Sequence, residues 1–176
     1  MSSGRSDLPL RLNLGCGLRR KPDCLNVDLR GEPDLVLDLD RHPWPLPRGH
    51  FEYAWALDVV EHLADIPAFM EEVHAVLAPG GVVEITTPHF SCPNAYTDPT
   101  HRHHLGWFSF DYFTDASQWS FYTGVRFEIV ERILVFHPGR LDGLVSRLAN
   151  RRPALYEKRF AWLWPAWFLI FKLRKV

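Results

Sequence analysis

A chain of 176 residues, 47% hydrophobic and 23% charged, has the size and composition of one globular unit with one core. Its net charge of −1 leaves no global basic field to gather nucleic acid, and its three cysteines (Cys16, Cys24, Cys92) make a disulfide framework an unsuitable reading. We therefore expect reduced thiols and a cytoplasmic protein that does not bind nucleic acid. Residues 1–9 are polar, without the apolar stretch of a signal peptide, and read as a disordered lead-in to a single domain over 10–176.

In chain order, Arg11-Leu12-Asn13-Leu14 reads as a short buried strand ended by the turn Gly15-Cys16-Gly17. In open α/β sheets ligands sit beyond the carboxyl ends of the strands, where such a glycine turn lies. Cys24 to Asp28 is a second strand ending in an acid. The interval before it is too short for a full crossover helix, leaving a single turn or a loop. Asp34 to Asp38 is a third strand, again acid-ended, and His42 to Pro47 is a proline-rich loop. Glu52 to Leu57 is a fourth strand, and Asp58 to Leu63 is expected to turn into a short helix. Asp65 is placed to cap the next helix, Ile66 to Leu77, whose Phe69, Val73, Val76 and Leu77 recur at helical spacing. Ala78-Pro79-Gly80-Gly81 stops that helix, and the β-branched Val82 to Thr87 is a fifth strand.

From Pro88 to Trp107 the pattern breaks into prolines, histidines and aromatics, as expected of a functional segment ordered over something. Ser109 to Thr114 reads as a short helix, so that 88–124 forms a lid on the substrate side. The remainder, 125–176, closes the fold with a sixth strand (Arg126 to Phe136), two helices (Leu141 to Ala149, Ala154 to Trp162) and a last strand (Trp167 to Leu173). Arg147, Arg151 and Arg152 read as a solvated helix face. Trp162, Trp164 and Trp167 read most simply as core or as the mouth of an acceptor site; peripheral contact with a membrane through this tryptophan-rich end is the alternative. Strands alternating with helices give an α/β fold with a doubly wound, mostly parallel sheet.

Together these stretches resemble the class I S-adenosylmethionine-dependent methyltransferases. Leu12 to Gly17 resembles that family's first motif, and Asp28 stands where the family holds the ribose hydroxyls. Asp38 with Leu39 matches the adenine-facing position. Ala56 to Leu63 resembles the fourth-strand motif that ends Glu-His-Leu, and Leu77 to Gly81 its Leu-x-Pro-Gly-Gly signature. Asp98-Pro99-Thr100-His101, followed by Phe108 to Phe113, resembles a sub-group with Asp-Pro-Thr-His in a substrate-side loop. The resemblance implies a seven-stranded Rossmann-like sheet with an antiparallel last strand and S-adenosyl-L-methionine as cofactor. It places Asn13, Gly15, Cys16, Gly17, Asp28, Asp38, Leu39, Ala56 and Leu57 around that cofactor. Two departures stand out: the third glycine of the first motif is missing, and Asp28 follows Gly15 by only thirteen residues, where a dinucleotide fold expects about 20. The short crossover counts against a nicotinamide cofactor, whose pyrophosphate uses the N-terminus of a full helix.

Methyl transfer requires alignment of nucleophile and methyl, plus removal of a proton for some acceptors. His101 and His62 are the candidate catalytic residues, because histidine near its ordinary pKa is a natural base for a hydroxyl. His89, Tyr96, Asp98 and His103 are expected to bind the acceptor, a small molecule such as a sugar or secondary metabolite. No resident metal is expected. Two competing readings are a non-catalytic cofactor-binding or regulatory protein of this fold, and a metal-dependent enzyme using the cluster from His89 to His104.

Overall fold

In the computed structural model, residues 8–115, 120–139 and 141–176 are described. Most of the expected lead-in (1–7) and part of the lid (116–119) lie outside them. Seven strands form one sheet: β1 (Arg11–Leu14), β2 (Leu25–Asp28), β3 (Leu35–Val36), β4 (Phe51–Leu57), β5 (Leu77–Pro88), β6 (Phe127–Val135) and β7 (Phe168–Lys175). Their order is β3-β2-β1-β4-β5-β7-β6. The first five are parallel, and β7 runs antiparallel to both β5 and β6. The α/β sheet with an antiparallel last strand expected from the sequence is therefore what forms.

The central strands carry near-continuous apolar runs because both faces are covered: Leu12, Leu14, Ala54, Ala56, Val83, Ile85, Leu169 and Phe171 are all fully buried. From β1 the chain moves outward through β2 and β3, then returns to lay β4 on the other side of β1. The carboxyl ends of β1 and β4 thus form the switch point at which open α/β sheets bind ligands.

Only one of the first four connections holds a regular helix, α1 (Ile66–Val76), between β4 and β5. Its start is as the sequence suggests: Asp65 Oδ1 accepts from Ala68 N at 2.9 Å, and Phe69, Met70, Val73 and Val76 are buried. Glu72 on the same helix pairs with Arg48 (2.9 Å) and accepts from Trp44 N (3.0 Å), pinning the proline-rich loop. The expected helix over 58–63 is instead a turn closed by His62 N to Val59 O, because the chain must drop from the sheet to Asp65 within a few residues. Residues 77–81 also differ from expectation. They extend β5 as an irregular run in which Phe51 pairs Leu77 but Tyr53 pairs Val82. A Cβ at Gly81 would lie 2.9 Å from the carbonyls of Ala78 and Phe51, so the close approach requires glycine there.

Residues 15–24 between β1 and β2 form a loop, and a buried amide knot replaces the helix. Asn26 Oδ1 accepts from Asn13 Nδ2 (2.9 Å) and Lys21 N (2.8 Å). Its Nδ2 donates to Lys21 O (3.0 Å) and Asp34 Oδ2 (2.9 Å), while Asn26 N also donates to Asp34. These bonds to Asp34, led by the one from Asn26 N, hold its carboxyl below the usual carboxylate range, and Arg20 pairs with the same carboxylate.

Asn26→Leu keeps the volume but strands several buried polar groups, each costing about 1–3 kcal/mol. We expect urea denaturation to show a loss of about 3 kcal/mol; a loss under about 1 kcal/mol would mean that the loop is held by other contacts.

Candidate active site

Two clefts open at the carboxyl ends of β1, β2 and β4. The first, about 250 Å³, is walled by Gly15, Asp28, Leu37, Asp38, Leu39 and Val59, with Asp40, Asp58 and His62 also lining it. Gly15 has φ +65°, and a Cβ there would stand 2.4 Å from Val59 Cγ2, so glycine is required by conformation and by space. Gly17 (φ +50°) donates its N–H to Asp28 Oδ2 at 2.7 Å, and Arg30 N donates to Asp28 Oδ1 at 3.0 Å. Each oxygen keeps a lone pair, so two hydroxyls could still be accepted. Asp38 accepts from Asp40 N (3.1 Å) and pairs with Arg41 (3.3 Å). Neither lysine nor arginine lines this cleft. An acid-lined, half-buried cleft suits a cationic ligand without phosphates, and S-adenosylmethionine, with its sulfonium and ribose diol, fits that donor set.

The second cleft, about 550 Å³, lies on the other side of Asp58 and His62, both of which line it too. Glu61, Asn94, Asp98, His101 and Phe168 complete much of its wall. The lid is tied down by backbone: Glu61 O accepts from Arg102 N (2.7 Å) and His103 N (3.2 Å). A short helix, α2 (Asn94–Thr97), brings Ala95 O within 3.2 Å of His101 Nδ1. A carbonyl only accepts, so Nδ1 carries the proton and the neutral ring keeps its lone pair on Nε2. The same logic orients His62. Thr100 Oγ1 donates to Asp98 Oδ1 at 2.7 Å and therefore accepts from His62 Nδ1 at 2.9 Å, leaving His62 Nε2 as the free lone pair. The two rings meet edge-on, 4.6 Å between centroids. Burial, with the nearby His101, pushes the His62 pKa down, which favours the neutral base form.

Beneath them Glu61 is 1% exposed, and neither carboxylate oxygen has a hydrogen-bond partner. Desolvation pushes its pKa up to about 7; the neighbouring Thr87 hydroxyl offsets this in part without reaching hydrogen-bond geometry. Glu61, His62 and His101 offer ligand atoms that all lie within 4.8 Å of one another. Of the run from His89 to His104, only His101 joins that group.

The expected site residues divide accordingly. Gly15, Asp28, Asp38 and Leu39 line the first cleft, and His62, Asp98 and His101 the second. Gly17 positions Asp28. Asn13 is buried in the amide knot and shapes the loop, while Cys16 is buried with its N–H on Val27 O. Ala56 is buried and Leu57 half-buried at the end of β4, just before the cleft residues Asp58 and Val59. His89 is corrected: it is fully buried, its Nδ1 accepting from Ser91 and its Nε2 donating to Glu157 (3.1 Å), and so it braces the lid from inside. His103 donates through Nε2 to Leu63 O (2.9 Å) and lies off the cleft wall. Tyr96 is exposed, its ring tilted against that of His104 with 4.3 Å between centroids.

Sequence reasoning missed Asp58 and Glu61 as site residues. Asp58 sits at φ +59°, accepts from the Thr86 hydroxyl (3.0 Å), and lines both clefts. It is an acid directly after an apolar strand, the signal already used for Asp28 and Asp38. Nothing local marks Glu61 as buried and unpartnered.

Comparisons with known proteins agree with this geometry. The family model described as methyltransferase domain matches residues 16–128. A ubiquinone biosynthesis O-methyltransferase of Bradyrhizobium sp. is 44% identical over 41 residues, a match covering 23% of this chain and only 16% of that relative's length. Among solved structures, an S-adenosylmethionine-dependent methyltransferase from Mesorhizobium loti superposes with a TM-score of 0.60 at 19% identity, over 94% of this chain and 90% of that one. One from Archaeoglobus fulgidus gives 0.60 at 17%, over 97% and 88%. Phosphoethanolamine N-methyltransferase 2 of Haemonchus contortus, solved with S-adenosyl-L-methionine, gives 0.59 at 14%, over 96% of this chain and 49% of that one. The chain therefore belongs to the methyltransferase-domain family, and its fold is the one these S-adenosylmethionine-dependent methyltransferases share.

Proposed function

We propose that this methyltransferase acts on a hydroxyl or similar group of a small-molecule acceptor, with His62 as the base. One observation carries the reading: His62 stands where the two clefts meet, its tautomer set by the Thr100–Asp98 chain so that Nε2 is left to take a proton. When bound in the acid-lined cleft, S-adenosylmethionine supplies an electrophilic methyl on its sulfonium. Asp28 accepts the ribose hydroxyls, and Gly15 leaves room for the methionine part beside Val59. Asp38 and Leu39 border the adenine. On the acceptor side, His62 Nε2 takes the hydroxyl proton as the oxygen attacks, while His101 and Asp98 orient the acceptor. Domain 10–176 acts as one unit in this reading. The O-methyltransferase name of the Bradyrhizobium relative supports an oxygen acceptor.

Calorimetry should show S-adenosylmethionine and S-adenosylhomocysteine binding that weakens at least about tenfold in Asp28→Ala, the equivalent of about 1.4 kcal/mol. Unchanged affinity would remove Asp28 from the cofactor's ribose. With an acceptor found by screening, His62→Ala should lower kcat about 10²–10⁴-fold and leave S-adenosylhomocysteine affinity within about twofold. Thr100→Val, which breaks the orienting chain, should lower kcat less and displace the acidic limb of the pH profile. A kcat kept by His62→Ala would exclude it as the base.

Glu61 generates a pH prediction. Its pKa is raised on folding, so its contribution to stability is fully present below about pH 4.5 and is lost as pH rises to about 7. Glu61→Gln should therefore match the wild type near pH 4.5 and exceed it at pH 8 by about 3 kcal/mol. Equal denaturation midpoints at both pH values would mean the carboxyl is not desolvated.

A further inference from the structure

The antiparallel neighbours β6 and β7 could be joined by a turn of two residues. They are joined instead by residues 136–167, which carry α3 (Asp142–Arg151) and α4 (Pro153–Arg159). The inward side of this connection is well used. Asn150 accepts from Leu134 N (2.8 Å) and donates to Leu134 O (2.9 Å), docking α3 on β6. Ala149, Tyr156 and Ala161 are buried. On α4, Glu157 grips the lid, accepting from His89 Nε2 and from Trp107 N (2.5 Å).

Its outward side is apolar and largely exposed. Leu141, Leu144 and Leu148, spaced three and four apart, are 58–60% exposed; Trp162 is 66% and Leu163 77% exposed. Between α3 and α4 the surface sinks into a groove of about 510 Å³ walled by Leu148, Leu155, Phe160 and Leu163, with Arg151 and Arg152 beside them. A soluble monomer rarely leaves such a contiguous face open without a use for it.

The charge of the segment says what covers it. Residues 136–167 hold six basic and two acidic residues in a chain of net charge −1. Both acids are occupied within the fold, Glu157 as above and Asp142 by Trp164 Nε1 at 2.8 Å. Arg147, Arg151, Arg152, Lys158 and Arg159 are exposed and form no ion pair among the described residues. A second copy docking by a two-fold axis would set these cations against themselves. A nucleic acid would leave the leucines and tryptophans without a function.

We propose that this face seats the protein on an anionic lipid surface. The leucines and tryptophans enter the boundary between acyl chains and headgroups, and the arginines meet lipid phosphates. Because α4 also holds His89 and Trp107, and Trp162 packs on Phe90 at 5.5 Å between centroids, the docked element is the one that anchors the lid beside the acceptor cleft.

The test is flotation of the whole chain with vesicles of phosphatidylcholine alone or with about 30% phosphatidylglycerol, at about 0.05 M and about 0.5 M salt. We expect partitioning at least about tenfold stronger on the anionic vesicles at low salt, and a fall of at least about tenfold in Leu148→Asp/Leu163→Asp and in Arg151→Glu/Arg152→Glu. Each variant is checked for a wild-type circular dichroism melt and wild-type S-adenosylhomocysteine binding. Should the leucine pair impair folding, the arginine pair and the salt series decide. No vesicle binding, or equal binding to both vesicle types, would overturn the proposal. So would a wild-type dimer by light scattering that either variant dissolves, since a second copy would then cover the face.

Discussion

The site rests on a buried knot of side-chain amides. A parallel β1–β2 connection ordinarily contains a helix, which satisfies its own backbone and covers the sheet edge. With only ten residues available, this chain gives that task to Asn26, which binds β1 through Asn13, the loop through Lys21, and the stretch before β3 through Asp34. A buried polar network of this kind must be complete, since an unmade bond costs more than a made one contributes. Its completeness holds Gly17 where its N–H meets Asp28, and so sets a carboxylate on the wall of the acid-lined cleft.

On the far side of the switch point the same economy appears in the lid. Backbone bonds from Arg102 and His103 to Glu61 O, rather than packing of a long helix, register the lid against the turn after β4. That register is what places Thr100 between His62 and Asp98. The Asp-Pro-Thr-His segment thus acts through Thr100 and Asp98 on a histidine some forty residues earlier in the chain, as well as through its own His101. Glu61 supplies its backbone to this arrangement and leaves its carboxyl buried without partners below the two rings.

Charge is also divided across the fold. Acids gather at the strand ends: Asp28, Asp38, Asp40 and Asp58 all line the smaller cleft. Free cations gather on the β6–β7 connection, beside exposed leucine and tryptophan. A net charge near zero therefore conceals two surfaces of opposite character, one suited to a sulfonium and the other to phosphates of a lipid surface.

The linear pattern determined much of this protein. Apolar runs at strand length, each ended by glycine or an acid, specify the parallel sheet, and Asp65 with its apolar period specifies α1. The motif order specifies the family, and it singles out residues that line the two clefts. Those features are local, or repeat along the chain, so they can be read from neighbours in sequence. Tertiary structure decided the rest. His89 and His101 belong to one irregular segment, yet burial makes the first a brace and leaves the second on the cleft wall. Trp162 and Trp164, which composition suggests as core, are exposed because the sheet is already filled by β7 and the inward faces of α3 and α4. Glu61 owes its raised pKa to desolvation by burial, which Thr87 of β5 and His101 of the lid offset only in part. Burial and electrostatics sum over everything nearby in space, and no window of sequence contains those neighbours.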